Sequence, residues 1–124
     1  MSLHEKYNPV LELGKELNVK NGNVEEADGK LKITGTVPVQ GHKDLLWDKI
    51  KAIGGENPVD IEADIQVDST GAQFHEVQPG ETLSKIAAQY LGNANRYPEI
   101  FKANTYQLSD PDRIQIGQRI FIPE

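Results

Sequence analysis

The chain contains no cysteine. That excludes a disulfide scaffold, a thiolate-ligated zinc site and a thiol nucleophile. Aromatic residues are scarce, at 6%, with one tryptophan. No apolar run approaches the roughly 20 residues that span a bilayer, which argues against membrane insertion. No basic-then-apolar leader opens the chain. As written it therefore reads as cytoplasmic; removal of a leader would instead place it in the periplasm or at the cell surface. Positive charge is in deficit, with 13 Lys and Arg against 19 Asp and Glu and a net charge of −6. That balance argues against a nucleic-acid backbone or an anionic membrane as partner.

What is present divides unevenly. Residues 1–70 carry eight Lys/Arg against thirteen Asp/Glu, and residues 71–124 carry five against six. The front is acidic and the back nearly neutral. A chain of 124 residues accommodates one ordinary domain or two small ones. Two would each lie near the lower size at which a hydrophobic core suffices.

The front half spells helix, strand, strand, helix, strand. Val10, Leu11, Leu13 and Leu17 recur at near-helical spacing, with Asn8 placed to cap and Pro9 at the first helical position. Gly14 weakens this helix by roughly 1 kcal/mol relative to alanine. Asn21-Gly22-Asn23 breaks the pattern. Asp28-Gly29 then separates two alternating runs, Val24–Ala27 and Lys30–Val37, as in a two-residue hairpin. Pro38 ends the second strand, since it lacks an amide for the ladder. His42 to Ile53 reads as a helix, with Leu46, Ile50 and Ile53 on one stripe that Leu45 and Trp47 widen. Gly54-Gly55 closes it. Val59, Ile61, Ala63, Ile65 and Val67 alternate with Asp60, Glu62, Asp64, Gln66 and Asp68, predicting a strand with one acid-rich wet face. A sheet carrying helices on one face follows. Ser69-Thr70-Gly71-Ala72 has the composition of a flexible connector.

The back half opens with Phe74 and Val77 on a short strand. Pro79-Gly80-Glu81 turns the chain, and Thr82 is placed to cap a helix whose stripe is Leu83, Ile86, Ala87 and Tyr90. Gly92 ends it. Pro98 belongs in the first turn of a second helix capped near Asn95, with Tyr97, Ile100 and Phe101 inward and Asn104 at its end. A connector containing Asp110-Pro111-Asp112 leads through Ile114 and Ile116 to the strand Arg119–Ile122, stopped by Pro123.

Gln78-Pro79-Gly80-Glu81-Thr82-Leu83-Ser84-Lys85-Ile86-Ala87 and Ile116-Gly117-Gln118-Arg119-Ile120-Phe121-Ile122-Pro123, with two short helices between them, resemble a LysM module. That is a βααβ domain that binds N-acetylglucosamine-containing glycans such as peptidoglycan. The resemblance implies a shallow groove with two walls. Pro79, Gly80, Glu81, Thr82 and Leu83 form the first; Asp112, Arg113, Ile114, Gln115 and Ile116 form the second. Gly80 lets backbone amides approach an N-acetyl group, and the free N–H groups of a helix start are donors. Leu83 and Ile116 would floor a methyl pocket. Glu81 stands where the family usually has Asp, and Ile116 where Pro usually precedes Gly-Gln.

Ala27-Asp28-Gly29-Lys30-Leu31-Lys32-Ile33-Thr34-Gly35-Thr36-Val37, with the helix ending Ala52-Ile53-Gly54-Gly55, is similar to a BON domain, an αββαβ module. The fold class expected is thus α+β, with a BON-like domain at 4–69 and a LysM domain at 73–124. The combination resembles the bacterial cytoplasmic potassium-binding BON–LysM family, most closely at Tyr90–Tyr97, Ile100–Asn104 and Ser109–Ile114. There potassium is held largely by backbone carbonyls of the BON half, which suit a large, weakly hydrated ion. Members carry a further hydrophobic segment before the first helix, whereas here the chain begins almost at that helix. What carries over is the Ile53–Glu56 loop, with Gly54 and Glu56 as carbonyl donors.

No catalytic constellation is visible, so a non-enzymatic role is expected. His4, His42 and His75 are far apart in sequence, and His75 falls on the strand face opposite the apolar positions. Asp60, Glu62, Asp64 and Asp68 have the carboxylates to gather a hard cation, but their alternation is that of a solvated sheet face. The principal expectation is a glycan-binding module. The alternatives are a potassium sensor and a LysM fold used as an interaction scaffold.

Overall fold

The computed structural model describes residues 2–123. The element order is α1 (Leu3–Lys6), α2 (Asn8–Glu16), β1 (Lys20–Ala27), β2 (Lys30–Val37), α3 (Gln40–Gly54), β3 (Ile61–Val67), β4 (Gln73–Glu76), α4 (Leu83–Leu91), a 3-10 turn (Ala94–Arg96), α5 (Tyr97–Ala103) and β5 (Arg119–Ile122). Helices and strands occur together in both halves of the chain, an α+β chain. It divides into two compact units, the first ending at Thr70 and the second beginning at Gly71.

The first unit is a three-stranded sheet in the order β1-β2-β3. β1 and β2 pair antiparallel across Asp28-Gly29, whose φ values of 55° and 74° meet the demand of a two-residue hairpin for left-handed backbone at both positions. β2 and β3 pair parallel from Leu31↔Ile61 to Val37↔Val67, because α3 carries the chain back across the sheet. The core joins Tyr7, Val10 and Leu17 to Leu31, Val37, Leu46, Ile50, Ile61 and Ile65. Each such side chain contributes roughly 1.5–3 kcal/mol on burial.

Four local expectations are corrected. Asn8 lies inside α2 rather than capping it, and no side chain caps that helix. Asn21–Asn23 do not separate helix from hairpin: β1 runs through them with a bulge, and Asn21 takes φ 54° to absorb the extra residue. Val59 is 83% exposed, because β3 starts two residues later. For the same reason Asp60 precedes the strand and leaves the row of wet carboxylates.

The second unit pairs β4 with β5 antiparallel, Gln73↔Ile122 to Glu76↔Arg119. Two bonds extend that ladder, Val77 N–H to the Gln118 carbonyl (2.9 Å) and Gly117 N–H to the Val77 carbonyl (2.8 Å). Val77, Leu83, Ile86, Ala87, Ile100, Leu108, Ile120 and Ile122 form its core. Thr82 caps α4, its Oγ1 accepting from Lys85 N–H, and Gly92 ends that helix at φ 75°. Asn93, not Asn95, caps the next turn, because the chain first makes a 3-10 turn before Pro98 can enter α5. That turn also rotates Tyr97 outward, so it is not an inner-face residue.

Candidate functional site

Both expected walls lie at one end of the β4–β5 ladder, because its last two bonds tie Val77 to Gly117 and Gln118. In the first, Pro79 and Gly80 are exposed and Gly80 takes φ 81°. The Gly80 carbonyl accepts from Lys85 Nζ at 3.0 Å, and Glu81 N–H donates to the Gln78 carbonyl at 3.2 Å. In the second, Asp110 Oδ1 accepts from Asp112 N–H and the Asp110 carbonyl from Arg113 N–H. Gln118 folds its side chain back to accept from Gln115 N–H at 3.0 Å.

The apolar floor is corrected on one side. Leu83 is 2% exposed and belongs to the core, as the first inward residue of α4 must. Ile116 is 70% exposed and Ile114 packs against the core. Among the described residues of the two walls, Ile116 is the large aliphatic side chain that faces solvent.

A side-chain cluster missed in the sequence lies behind the first wall. His75 Nδ1 is 2.9 Å from the Tyr90 hydroxyl, and Nε2 is 2.8 Å from Glu81 Oε1. The same Glu81 oxygen accepts from Gln78 N–H at 2.6 Å. The His75 hydrogen bond first, then the Gln78 amide, holds the Glu81 carboxyl below the usual carboxylate range. His75 is not on a wet face: its ring packs edge-on against Tyr90 at 5.3 Å. The expected face is corrected: His75 shares its side of the strand with Val77 and with its ladder partner Ile120, both core residues, and the end of α4 covers that side, whereas Phe74 lies on the opposite face against Phe121.

In the first unit, Gly54 is the last residue of α3 and Gly55 caps it at φ 88°, donating N–H to the Lys51 carbonyl. Glu56 is exposed in the following loop. A helix C-terminus presents carbonyls without intrahelical partners and a partial negative charge. The loop is pinned at its far end. Asp60 accepts from the Tyr7 hydroxyl and from Lys6 Nζ, both at 2.5 Å. Lys6, then Tyr7, lowers the Asp60 pKa; burial, then Asp60, raises that of Tyr7 to about 12. The Tyr7 hydroxyl also packs against Gly54, so one buried phenol locates both ends of the loop. Among the described residues no group of three or more His, Cys, Asp or Glu could hold a metal ion. Separately, a cleft of about 370 Å³ opens within this unit between α2 and the sheet, floored by Val10, Leu46, Ile50 and Ile65.

The two units define a class: a two-module binding protein with a small αββαβ sheet module followed by a LysM module. Residues 75–123 match the LysM domain family. The chain is 40% identical over 102 residues to the potassium binding protein Kbp of Escherichia coli, covering 82% of this chain and 68% of that protein. The chain belongs to the BON–LysM family that includes Kbp. It is also 35% identical over 91 residues to an uncharacterized protein of Deinococcus radiodurans, covering 73% of this chain and 28% of that one. A 50-residue match at 40% identity reaches the esterase Rv1288 of Mycobacterium tuberculosis, of which it covers 10%. Among the described residues no helix is long and apolar enough to cross a membrane.

Proposed function

We propose that this chain is a non-catalytic potassium-binding protein whose ion is held by backbone carbonyls around Gly54 and Glu56. The observation that carries the reading is the match to Kbp, which covers 82% of this chain and so extends into both units. The α3 C-terminus supports it, with orphan carbonyls on a loop anchored by Tyr7 and Asp60. Carbonyl dipoles replace the hydration shell of a large monovalent ion. The esterase match spans too little of that enzyme to bring its chemistry here. The test is thermal unfolding in potassium against sodium at equal ionic strength. A ligand present at about 100 times its dissociation constant adds roughly 2.7 kcal/mol, which shifts the midpoint by several degrees, with amide perturbations centred on Gly54. Equal midpoints in the two salts refute the reading.

A second reading concerns the other unit. The LysM match and the convergence of residues 79–83 and 112–116 at one end of a sheet support contact with N-acetylglucosamine-containing glycan. Each hydrogen bond in such an open groove contributes about 1 kcal/mol, so one module binds weakly. Oligomers of N-acetylglucosamine should shift amide resonances in those two segments only. If neither ligand acts, the LysM fold serves as an interaction scaffold.

A further inference from the structure

We infer that His75 is the positioning residue of the 78–82 loop: its Nε2–H holds Glu81 so that the Glu81 carboxylate closes the turn on the amide of Gln78. The ligand this serves rests on the glycan reading above; the positioning itself does not.

Hydrogen-bond chemistry determines the direction of each bond. An ionised carboxylate only accepts. Glu81 Oε1 lies 2.8 Å from His75 Nε2 and 2.6 Å from Gln78 N, so both nitrogens donate to it. In the neutral ring Nδ1 is then the acceptor, and the Tyr90 hydroxyl at 2.9 Å donates. Glu81, which can only accept, thereby selects the tautomer, and the Tyr90 hydroxyl, which can donate or accept, completes it by donating. The anchoring is rigid: His75 lies opposite Ile120 in the β4–β5 ladder, and Tyr90 sits in the last turn of α4. The turn is closed twice, because Glu81 N–H also returns to the Gln78 carbonyl.

The consequence is a division of roles within the first wall. Glu81 faces inward and sets the turn, whereas Gly80 and Thr82 are exposed beside it. An N-acetylated sugar would meet the backbone and hydroxyl of that turn rather than the Glu81 charge. Lys85, the other charged group at the loop, is held to the Gly80 carbonyl.

Two substitutions separate positioning from bulk packing. In His75→Gln the amide nitrogen reaches the place of Nε2 and can still donate to Glu81. In His75→Asn it reaches only the place of Nδ1. Nitrogen-15 spectra of the neutral wild-type ring should show the proton on Nε2. Gln78 amide exchange should be slow in wild type and His75→Gln, and faster by about fivefold or more in His75→Asn, as for loss of one hydrogen bond. Affinity for the N-acetylglucosamine tetramer should fall by the same factor in His75→Asn and change little in His75→Gln. A proton on Nδ1, or equal Gln78 exchange in the two variants, overturns the inference. If wild type does not bind the tetramer, the glycan reading fails, while tautomer and exchange still decide the role of His75.

Discussion

Asn104 pairs with both backbone groups of Phe121, seventeen residues further along the chain. Its Oδ1 accepts from Phe121 N–H at 2.9 Å, and its Nδ2 donates to the Phe121 carbonyl at 2.8 Å. Nδ2 also donates to the Ile100 carbonyl at 2.7 Å, and Oδ1 accepts from Gln107 Nε2 at 3.1 Å. The side-chain amide thus completes the outer edge of β5 as a further strand would, while ending α5. Asn104 is fully buried, so these bonds form where water cannot replace them.

Asn104→Asp should therefore destabilise strongly, although it keeps the shape. A carboxylate cannot donate, so it would face two backbone carbonyls, and burial of the charge adds to the penalty. The expected loss is about 3–4 kcal/mol. Asn104→Ala should lose about 2–4 kcal/mol by removing the two buried side-chain bonds to Phe121 and the one to the Ile100 carbonyl. Urea unfolding of the two variants checks this; a loss under about 1 kcal/mol in either would show that Phe121 finds other partners.

Sequence reasoning anticipated Asn104 only as the end of a helix, and the gap shows what a sequence can carry. Asp28-Gly29, Thr82 and Gly92 were readable because a turn or cap is decided by neighbours within a few residues. The alternation of β3 and the stripe of α3 were readable as periodicity. Asn104 and Phe121, or His75 and Tyr90, meet only after folding, and a polar residue bound for a long-range bond has the same local signature as one bound for solvent. Asp60 shows the same limit. Its place in an alternating run indicated a wet face, yet contacts with Lys6 and Tyr7 decide its environment. A carbonyl site at Gly54 leaves almost no side-chain trace at all.

Gly54→Ala should destabilise the first unit even though alanine is the better helix former by roughly 1 kcal/mol. A Cβ there would collide with the Tyr7 hydroxyl and come within 2.9 Å of Pro58 Cβ. The hydroxyl cannot withdraw without breaking its bond to Asp60, so the collision dominates. The expected net loss is about 1–3 kcal/mol. At Gly55 nothing lies within 4 Å, and the cost of alanine is only its φ of 88°. With ψ at 176° as well, that is backbone essentially only glycine adopts, so Gly55→Ala should also lose about 1–3 kcal/mol. Tyr7→Phe removes that hydroxyl, so Gly54→Ala should lower the melting temperature less in the Tyr7→Phe background than in wild type, and an equal loss in both would remove Tyr7 from this account.

The Tyr7–Asp60 pair should impose a pH dependence at both extremes. Tyr7 is raised from 10.0 to about 12 on folding, so its contribution is fully present below pH 10 and is lost as pH rises toward 12. Asp60 is lowered, so its contribution is present above the ordinary carboxylate range and is lost as pH falls through its depressed value. Tyr7→Phe should abolish the alkaline loss specific to this group at a cost of about 1–2 kcal/mol at neutral pH. Asp60→Asn should flatten the acid limb. Urea midpoints measured across pH decide this; an unchanged alkaline limb in Tyr7→Phe would contradict it.

Thr82 and Ile116 should separate stability from binding in the second unit. Thr82 caps α4 through Lys85 N–H at 3.2 Å, and its loss in Thr82→Ala should lower stability by about 1 kcal/mol. Ile116 is exposed and touches little, so Ile116→Asn should leave stability within about 0.5 kcal/mol of wild type. If the loops at this end of the ladder bind glycan, Ile116→Asn removes the apolar surface available to an acetyl methyl. Affinity for N-acetylglucosamine oligomers should then fall several-fold, because one buried methyl-sized group is worth about 0.8 kcal/mol. Titration calorimetry beside thermal unfolding checks both halves. Unchanged affinity in Ile116→Asn would place the methyl contact elsewhere, and a large stability loss there would mean that Ile116 is packed in solution.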